Sequence, residues 1–103
     1  MKLPCEKVVW YILPIIRKEY ARVLHEKYGF SQREVAALLD LTEAAVSYYL
    51  SGKRGNVEVE DEELINEIEK AVENIVENGK NEIKKETCRL CKLMISKGFL
   101  KNK

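Results

Sequence analysis

The stretch that decides the fold is residues 31–54, "SQREVAALLDLTEAAVSYYLSGKR". Ser31 is a good helix N-cap, and Glu34 three residues later completes a capping box. The apolar residues of "VAALL" then form the buried face of a short helix that ends near Asp40. Thr42 caps a second short helix, which ends at the glycine-containing segment "SGKRGN". The stretch therefore predicts two short helices joined by a tight turn.

The rest of the chain has helical patterns too. Apolar residues recur at helical spacing over residues 6–28. Pro14 inside this run predicts a kink or two abutting helices, with Leu13 pushed out of the helical region. Two amphipathic helices follow the central stretch, one closed by Gly79 and the other by Gly98. No convincing strand pattern is present, so we expect an all-α bundle of about five helices.

We place a domain boundary between residues 1–56 and residues 57–103. The first region contains the two short helices, and the second consists of the two amphipathic helices. Their apolar stripes, along residues 64–76 and 83–95, present more apolar surface than one small domain would cover alone. We therefore expect the C-terminal helices to form a homodimer with two-fold symmetry.

Composition and terminal sequence restrict the class of protein. The chain has 103 residues, of which 46% are hydrophobic and 34% charged, as is typical of a folded soluble domain. No run approaches the roughly 20 apolar residues of a membrane span, and the N-terminal run lacks a signal-peptide cleavage site. We expect a cytoplasmic protein. The sequence offers no Ser/His/Asp set, no phosphate-binding glycine loop and no paired buried carboxylates, so we do not expect an enzyme.

The charge is strongly segregated although the net charge is only +1. Residues 1–55 contain nine Lys/Arg and six Asp/Glu, a net charge of +3, and residues 79–103 contain eight and two, a net charge of +6. Residues 56–78 contain one Lys/Arg and nine Asp/Glu, a net charge of −8. This acidic segment would repel a polyanion, so in a nucleic-acid complex it should face away from the ligand.

The packing pattern of residues 31–54 is that of a helix-turn-helix. Ala36 is small where the two helices cross, and Leu39, Leu41 and Val46 fill the wedge between them. With "SQxxxA", the "VS" of the second helix and the trailing "SGKR", the stretch resembles the Cro/phage-repressor, or XRE-type, helix-turn-helix family. Because "LPCEKVVWYILPIIR" precedes it and "CRLC" follows it, the chain resembles more narrowly the archaeal XRE-type regulators.

The resemblance implies a sequence-specific transcriptional regulator that binds double-stranded DNA. Glu43, Ala44, Ser47 and Tyr48 of the second helix would then face base edges, whereas Gln32 would contact phosphate. The full set of implied DNA-binding positions is Gln32, Thr42, Glu43, Ala44, Ser47, Tyr48, Ser51, Lys53 and Arg54.

Two residues depart from what such a site favours. Asp40 stands in the turn where the family usually has glycine, although aspartate tolerates a left-handed backbone better than most residues. Glu43 is able to accept a hydrogen bond from cytosine N4 but would repel phosphates. The second helix contains no Lys or Arg, so DNA affinity must come from flanking positions.

Cysteines at both ends of the chain raise a second possibility. Cys88 and Cys91 share a helix face among basic residues, and Cys5 is the only other cysteine. The pair is compatible with packing, with a redox switch, or with metal binding, since nearby cations stabilise thiolates.

A metal site would use Cys5, Cys88 and Cys91. Three thiolates suit an iron–sulfur cluster, of the 3Fe–4S or 4Fe–4S type, better than zinc. Zinc is the alternative and would need a fourth ligand, such as Glu6, Glu86 or a residue of a second subunit. The regulator would then sense redox or iron–sulfur status. The alternatives are a thiol-redox or metal-binding protein, and an antitoxin-like protein-interaction module.

Overall fold

The computed structural model describes residues 5–51 and 59–98, with side chains from Ile12 onward in the first range. Within these ranges the chain forms five α-helices and no strand, which confirms the all-α prediction. The helices are α1 (Cys5–Glu26), α2 (Gln32–Leu39), α3 (Glu43–Ser51), α4 (Glu62–Asn78) and α5 (Asn81–Ser96). No helix in the described ranges is both long enough and apolar enough to cross a membrane. The expected domain boundary falls within residues 52–58, outside the described residues.

Pro14 lies inside α1, which continues unbroken from Cys5 to Glu26. The prediction that Leu13 leaves the helical region is therefore wrong. Proline removes one backbone hydrogen bond and costs a helix about 3 kcal/mol. Ile12, Ile15 and Ile16 around it are at most 6% exposed. Their burial offsets that cost, because each fully buried side chain contributes about 1.5–3 kcal/mol.

The turn residues between α1 and α3 form the predicted caps. The Ser31 hydroxyl accepts from the Glu34 amide at 3.1 Å, and the Glu34 carboxylate accepts from the Ser31 amide at 2.8 Å, which completes the capping box. Thr42 Oγ1 accepts from the Ala45 amide at 3.0 Å, so Thr42 caps α3. Asp40 adopts the left-handed conformation, with φ 62° and ψ 45°, as expected for a turn that glycine would fit.

Helix α1 is the centre of the bundle and packs against each of the other four helices. A single core runs through all five helices, with its largest fully buried side chains being Ile12, Ile16, Tyr20, Val23, Leu24, Val35, Val46, Leu64, Ile68, Ile75, Leu90 and Met94. The apolar stripes of α4 and α5 thus pack within the chain against α1. The expected dimer depended on apolar surface that the chain leaves uncovered. On the described part of α4 and α5 this surface is small, because Ile95 is the one large hydrophobic residue that is exposed there. The homodimer stays a prediction.

A polar network joins α4 to α5 across the hairpin. The Asn74 amide donates to Glu82 at 3.1 Å and to Glu86 at 2.7 Å. Arg89 donates to the other oxygen of Glu86 at 2.7 Å and to Glu67 at 2.6 Å. Glu86 is only 8% exposed, and these contacts satisfy its charge.

Candidate nucleic-acid interface

Helix α3 lies at the surface with one stripe of side chains open to solvent. Val46 is its only fully buried side chain and packs in the core with Val35 and Leu39 of α2. The remaining inward positions are half-buried. The exposed residues form two rows of positions four apart, 43, 47 and 51 beside 44 and 48, and such rows lie on one face of a helix. They are Glu43, Ala44, Ser47, Tyr48 and Ser51.

The expected accessory positions share this solvent exposure. Thr42 is exposed at the start of α3, and Gln32 is exposed at the start of the neighbouring helix α2. Lys53 and Arg54 lie outside the described residues. The structure thus places seven of the nine expected DNA-binding positions at exposed sites in or next to α2 and α3, and their contact with DNA stays a prediction.

The two adjacent tyrosines differ in burial. Tyr48 is 45% exposed, whereas Tyr49 is half-buried. Their ring centroids are 6.4 Å apart with the planes tilted by 47°, so the inner ring limits the positions that the outer one takes. Tyr48 is thus the larger of the apolar groups that α3 presents outward.

Arg33 is a residue of this surface that the sequence interpretation missed. Its Nε donates to Glu43 Oε2 across 3.4 Å, and its side chain is 85% exposed. The contact joins the first turn of α2 to the first turn of α3. The repulsion expected between Glu43 and phosphate is thereby reduced, because a guanidinium lies beside the carboxylate. The position of this basic residue in the first turn of α2 was the available signal.

The acidic helix α4 is partly neutralised within the chain. Carboxylates of α4 and of its N-cap Asp61 form ion pairs at 2.6–3.2 Å. Their partners are Lys27, which follows α1, Arg89 of α5, and Lys97, the C-cap of α5. Helices α3 and α4 both pack on α1. The charge of these three cations is therefore used in part to balance the acidic helix α4.

The two described cysteines lie on α5 in different surroundings. Cys88 is exposed and borders a cavity that Arg17 also lines, while Cys91 is half-buried against the core. Cys5 begins α1, 12 residues before Arg17, which corresponds to about 18 Å of helical rise. Within one chain, the backbone thus separates Cys5 from the α5 pair.

Metal binding by the cysteines gains no support from the described side chains. Among them, no three His, Cys, Asp or Glu residues form a group that would hold a metal ion. Glu86, one of the suggested fourth zinc ligands, has both oxygens engaged by Asn74 and Arg89. The Cys5 side chain lies outside the described side chains, so the iron–sulfur cluster on Cys5, Cys88 and Cys91 and its zinc alternative stay predictions.

Comparison with known proteins gives no assignment. No protein-family model, no curated protein and no solved structure matches the chain.

Proposed function

We propose that the chain is a sequence-specific DNA-binding transcriptional regulator of the XRE type, with α3 as its recognition helix. The observation that carries the proposal is the outward stripe of α3, which is polar or small, contains no cation and is set on a capped, two-helix support. An α-helix fits the major groove of B-DNA, where base pairs present distinct donors, acceptors and methyl groups. Ala44, Ser47 and Ser51 of this stripe are small and uncharged, which suits close approach to those groups.

The chemistry of the stripe assigns different roles to its residues. Ser47 would donate to or accept from a base edge, and Tyr48 would contact an apolar base group such as a thymine methyl. Glu43 would accept from cytosine N4, with Arg33 beside it to balance its charge. Gln32, Lys53 and Arg54 would contact phosphates, which position a protein on the duplex without reading its sequence.

A homodimer is part of the proposal because helix-turn-helix proteins read two half-sites about one helical turn apart. Light scattering at micromolar concentration, with and without duplex, tests it. A monomer that binds its operator with full affinity would contradict this part and leave α3 as the recognition helix.

Binding to DNA is tested with the full chain and a duplex selected from a random pool. Replacing Ser47 or Tyr48 by alanine should reduce discrimination between the selected and a scrambled duplex by about 1–3 kcal/mol, the usual cost of removing a contact to a base. Replacing both Lys53 and Arg54 by alanine should weaken binding to both duplexes alike. The dependence of log K on log salt should then flatten by roughly one unit for each phosphate that the protein no longer neutralises.

Matched controls come from the same chain. Tyr28→Ala removes a tyrosine of similar exposure, 39%, which lies beside acidic residues of α4. Ser96→Ala removes an exposed serine of α5. Neither change should alter DNA discrimination. Failure to enrich any duplex, or equal losses from Tyr28→Ala and Tyr48→Ala, would exclude α3 as a DNA-reading helix.

A further inference from the structure

A cavity of about 210 Å³ lies between α1, α5 and the end of α2. Leu13, Leu39 and Ile83 give it apolar walls, one from each of these helices. At its inner side the Tyr20 and Thr87 hydroxyls share a hydrogen bond of 3.1 Å. Burial raises the pKa of Tyr20 to about 12, so this hydroxyl stays neutral and donates or accepts a hydrogen bond throughout the physiological pH range.

Two cations line the same cavity, Arg17 from α1 and Lys84 from α5. Neither forms an ion pair with a described residue, whereas Arg22, Arg33 and Arg89 all do. No carboxylate is among the described residues that line the cavity. Arg17 is also half-buried, so its charge is partly removed from water without a described acid to balance it.

We propose that this cavity binds a small organic carboxylate with an apolar body about the size of a benzene ring. A dry cavity of about 150 Å³ takes benzene in another protein, so about 210 Å³ accommodates such a body plus a head group. The planar guanidinium of Arg17 matches a carboxylate with two parallel hydrogen bonds. Lys84 adds a second positive charge at the more exposed side.

The position of the cavity connects such a ligand to the helix-turn-helix. Leu39 is the last residue of α2 and is followed by the left-handed turn residue Asp40. A bound ligand would contact this wall and bias the placement of α2, and thus of α3. This regulatory part rests on the proposed DNA binding; the binding of the carboxylate does not.

Phenylacetate is the probe, titrated into the full chain without DNA and followed by methyl NMR and calorimetry. Resonances of Leu13, Leu39 and Ile83 should shift, and that of the exposed Ile95 should not. The neutral analogue 2-phenylethanol and inorganic phosphate should each bind at least about 10-fold more weakly, because one lacks the charge and the other lacks the apolar body.

Variants separate this site from nonspecific charge. Arg17→Gln should weaken phenylacetate binding by about 10-fold or more, the size of a charge-assisted hydrogen bond. Lys84→Gln should weaken it by about threefold, since Lys84 is exposed. Lys92→Gln is the matched control, because Lys92 is an exposed lysine of α5 that does not line the cavity and has no ion pair with a described residue. Urea unfolding of each variant checks that its fold is intact.

Each outcome decides the proposal. Shifts at the three wall residues with loss in Arg17→Gln and Lys84→Gln support it. Equal losses in Lys84→Gln and Lys92→Gln, equal binding of phosphate, or no shift at millimolar phenylacetate would overturn it. If phenylacetate binds and no duplex does, the carboxylate site stands and the proposed DNA-binding function fails.

Discussion

Helices α2–α3 and helices α4–α5 are both two-helix units that pack on α1, but they are stabilised in different ways. The α4–α5 hairpin buries long apolar stripes. Side-chain hydrogen bonds between residues 8 to 34 positions apart link its two sides. In α2–α3, the side-chain hydrogen bonds of the capping residues span three positions. The ion pair Arg33–Glu43 links these two helices over a longer range and is well exposed.

The difference shows which of the two units has a face that the packing of the chain does not use. In the hairpin, the apolar side chains pack in the core, and Asn74 and Arg89 join the two helices through Glu86 and Glu67. In α2–α3, a few anchors such as Val35 and Val46 hold the unit, and local caps determine where each helix begins. The outer face of α3 then contributes little to the packing of the chain, as a recognition surface requires. If this is correct, the free energy of unfolding should be most sensitive to core substitutions in the hairpin. In α2–α3 it should be most sensitive to substitutions in the caps and the turn.

The largest effect is expected from Leu90→Ala in the hairpin. Leu90 is fully buried, and truncating such a leucine costs about 2–5 kcal/mol through lost burial and the cavity left behind. Urea unfolding followed by circular dichroism measures the change. Ile95→Ala is the control, since Ile95 is 37% exposed on the same helix, and should cost less than about 1 kcal/mol. Similar losses from both would show that the hairpin core is not the dominant source of stability.

A smaller effect is expected from the cap of α3. Thr42→Ala removes the oxygen that accepts from the Ala45 amide and should cost about 1 kcal/mol. Thr42→Ser retains a capping hydroxyl and should lower the free energy of unfolding by at most a few tenths of a kcal/mol. Hydrogen exchange should accelerate at Ala45 in the alanine variant only. Equal exchange in the two variants would mean that tertiary packing, not the cap, fixes the start of α3.

The sequence predicted the elements whose signals are local. Ser31 with Glu34, and Thr42, marked helix starts, and Gly79 marked the end of α4, because each depends on a few neighbouring residues. What it missed depends on contacts between distant residues. Helix α1 continues through Pro14 because of burial that a local rule does not include.

The candidate site divides in the same way. The resemblance to the XRE-type family implied that Ser47 and Tyr48 face outward, and both are exposed. The sequence did not indicate the Arg33–Glu43 pair, since it joins two helices across a turn. Nor did it indicate the cavity between Arg17 and Lys84, residues 67 positions apart whose approach depends on how α5 packs on α1. These features required tertiary geometry.

The turn between α2 and α3 provides the third prediction, in which a substitution stabilises the chain. Asp40 has φ 62°, a conformation that costs an ordinary L-residue about 1–2 kcal/mol. Asp40→Gly removes this strain but increases the freedom of the unfolded chain, so the net gain should be about 0.5 kcal/mol. Asp40→Ala keeps the strain, loses the polar side chain and should destabilise. Thermal unfolding of the three proteins tests the order glycine, aspartate, alanine, and a glycine variant below wild type would contradict it.

The smallest effect is expected from acid titration of the half-buried carboxylates Glu67 and Asp61, which pair with Arg89 and Lys97. The hydrogen bond from Arg89 lowers the pKa of Glu67 below its ordinary value of 4.5. The hydrogen bond from the Leu64 amide lowers the pKa of Asp61 below its ordinary value of 3.8, and the hydrogen bond from Lys97 lowers it further. Both carboxylates therefore bind protons more weakly in the folded than in the unfolded chain. Their contribution is complete above the unfolded pKa and is lost as the pH falls through the lower folded pKa.

Urea unfolding between pH 6 and pH 3, the interval of roughly these pKa values, should show a shallower acid loss in Glu67→Gln than in wild type. Asp61→Asn should also flatten it while keeping the cap of α4, because asparagine caps as well as aspartate. Glu77→Gln is the control, since Glu77 is exposed on α4 without an ion pair to a described residue. Because the Glu67–Arg89 pair is partly exposed to solvent, 0.5 M salt should reduce the difference between wild type and Glu67→Gln. A Glu77→Gln profile as flat as that of Glu67→Gln would show that overall charge, and not the contacts across the hairpin, governs the acid response.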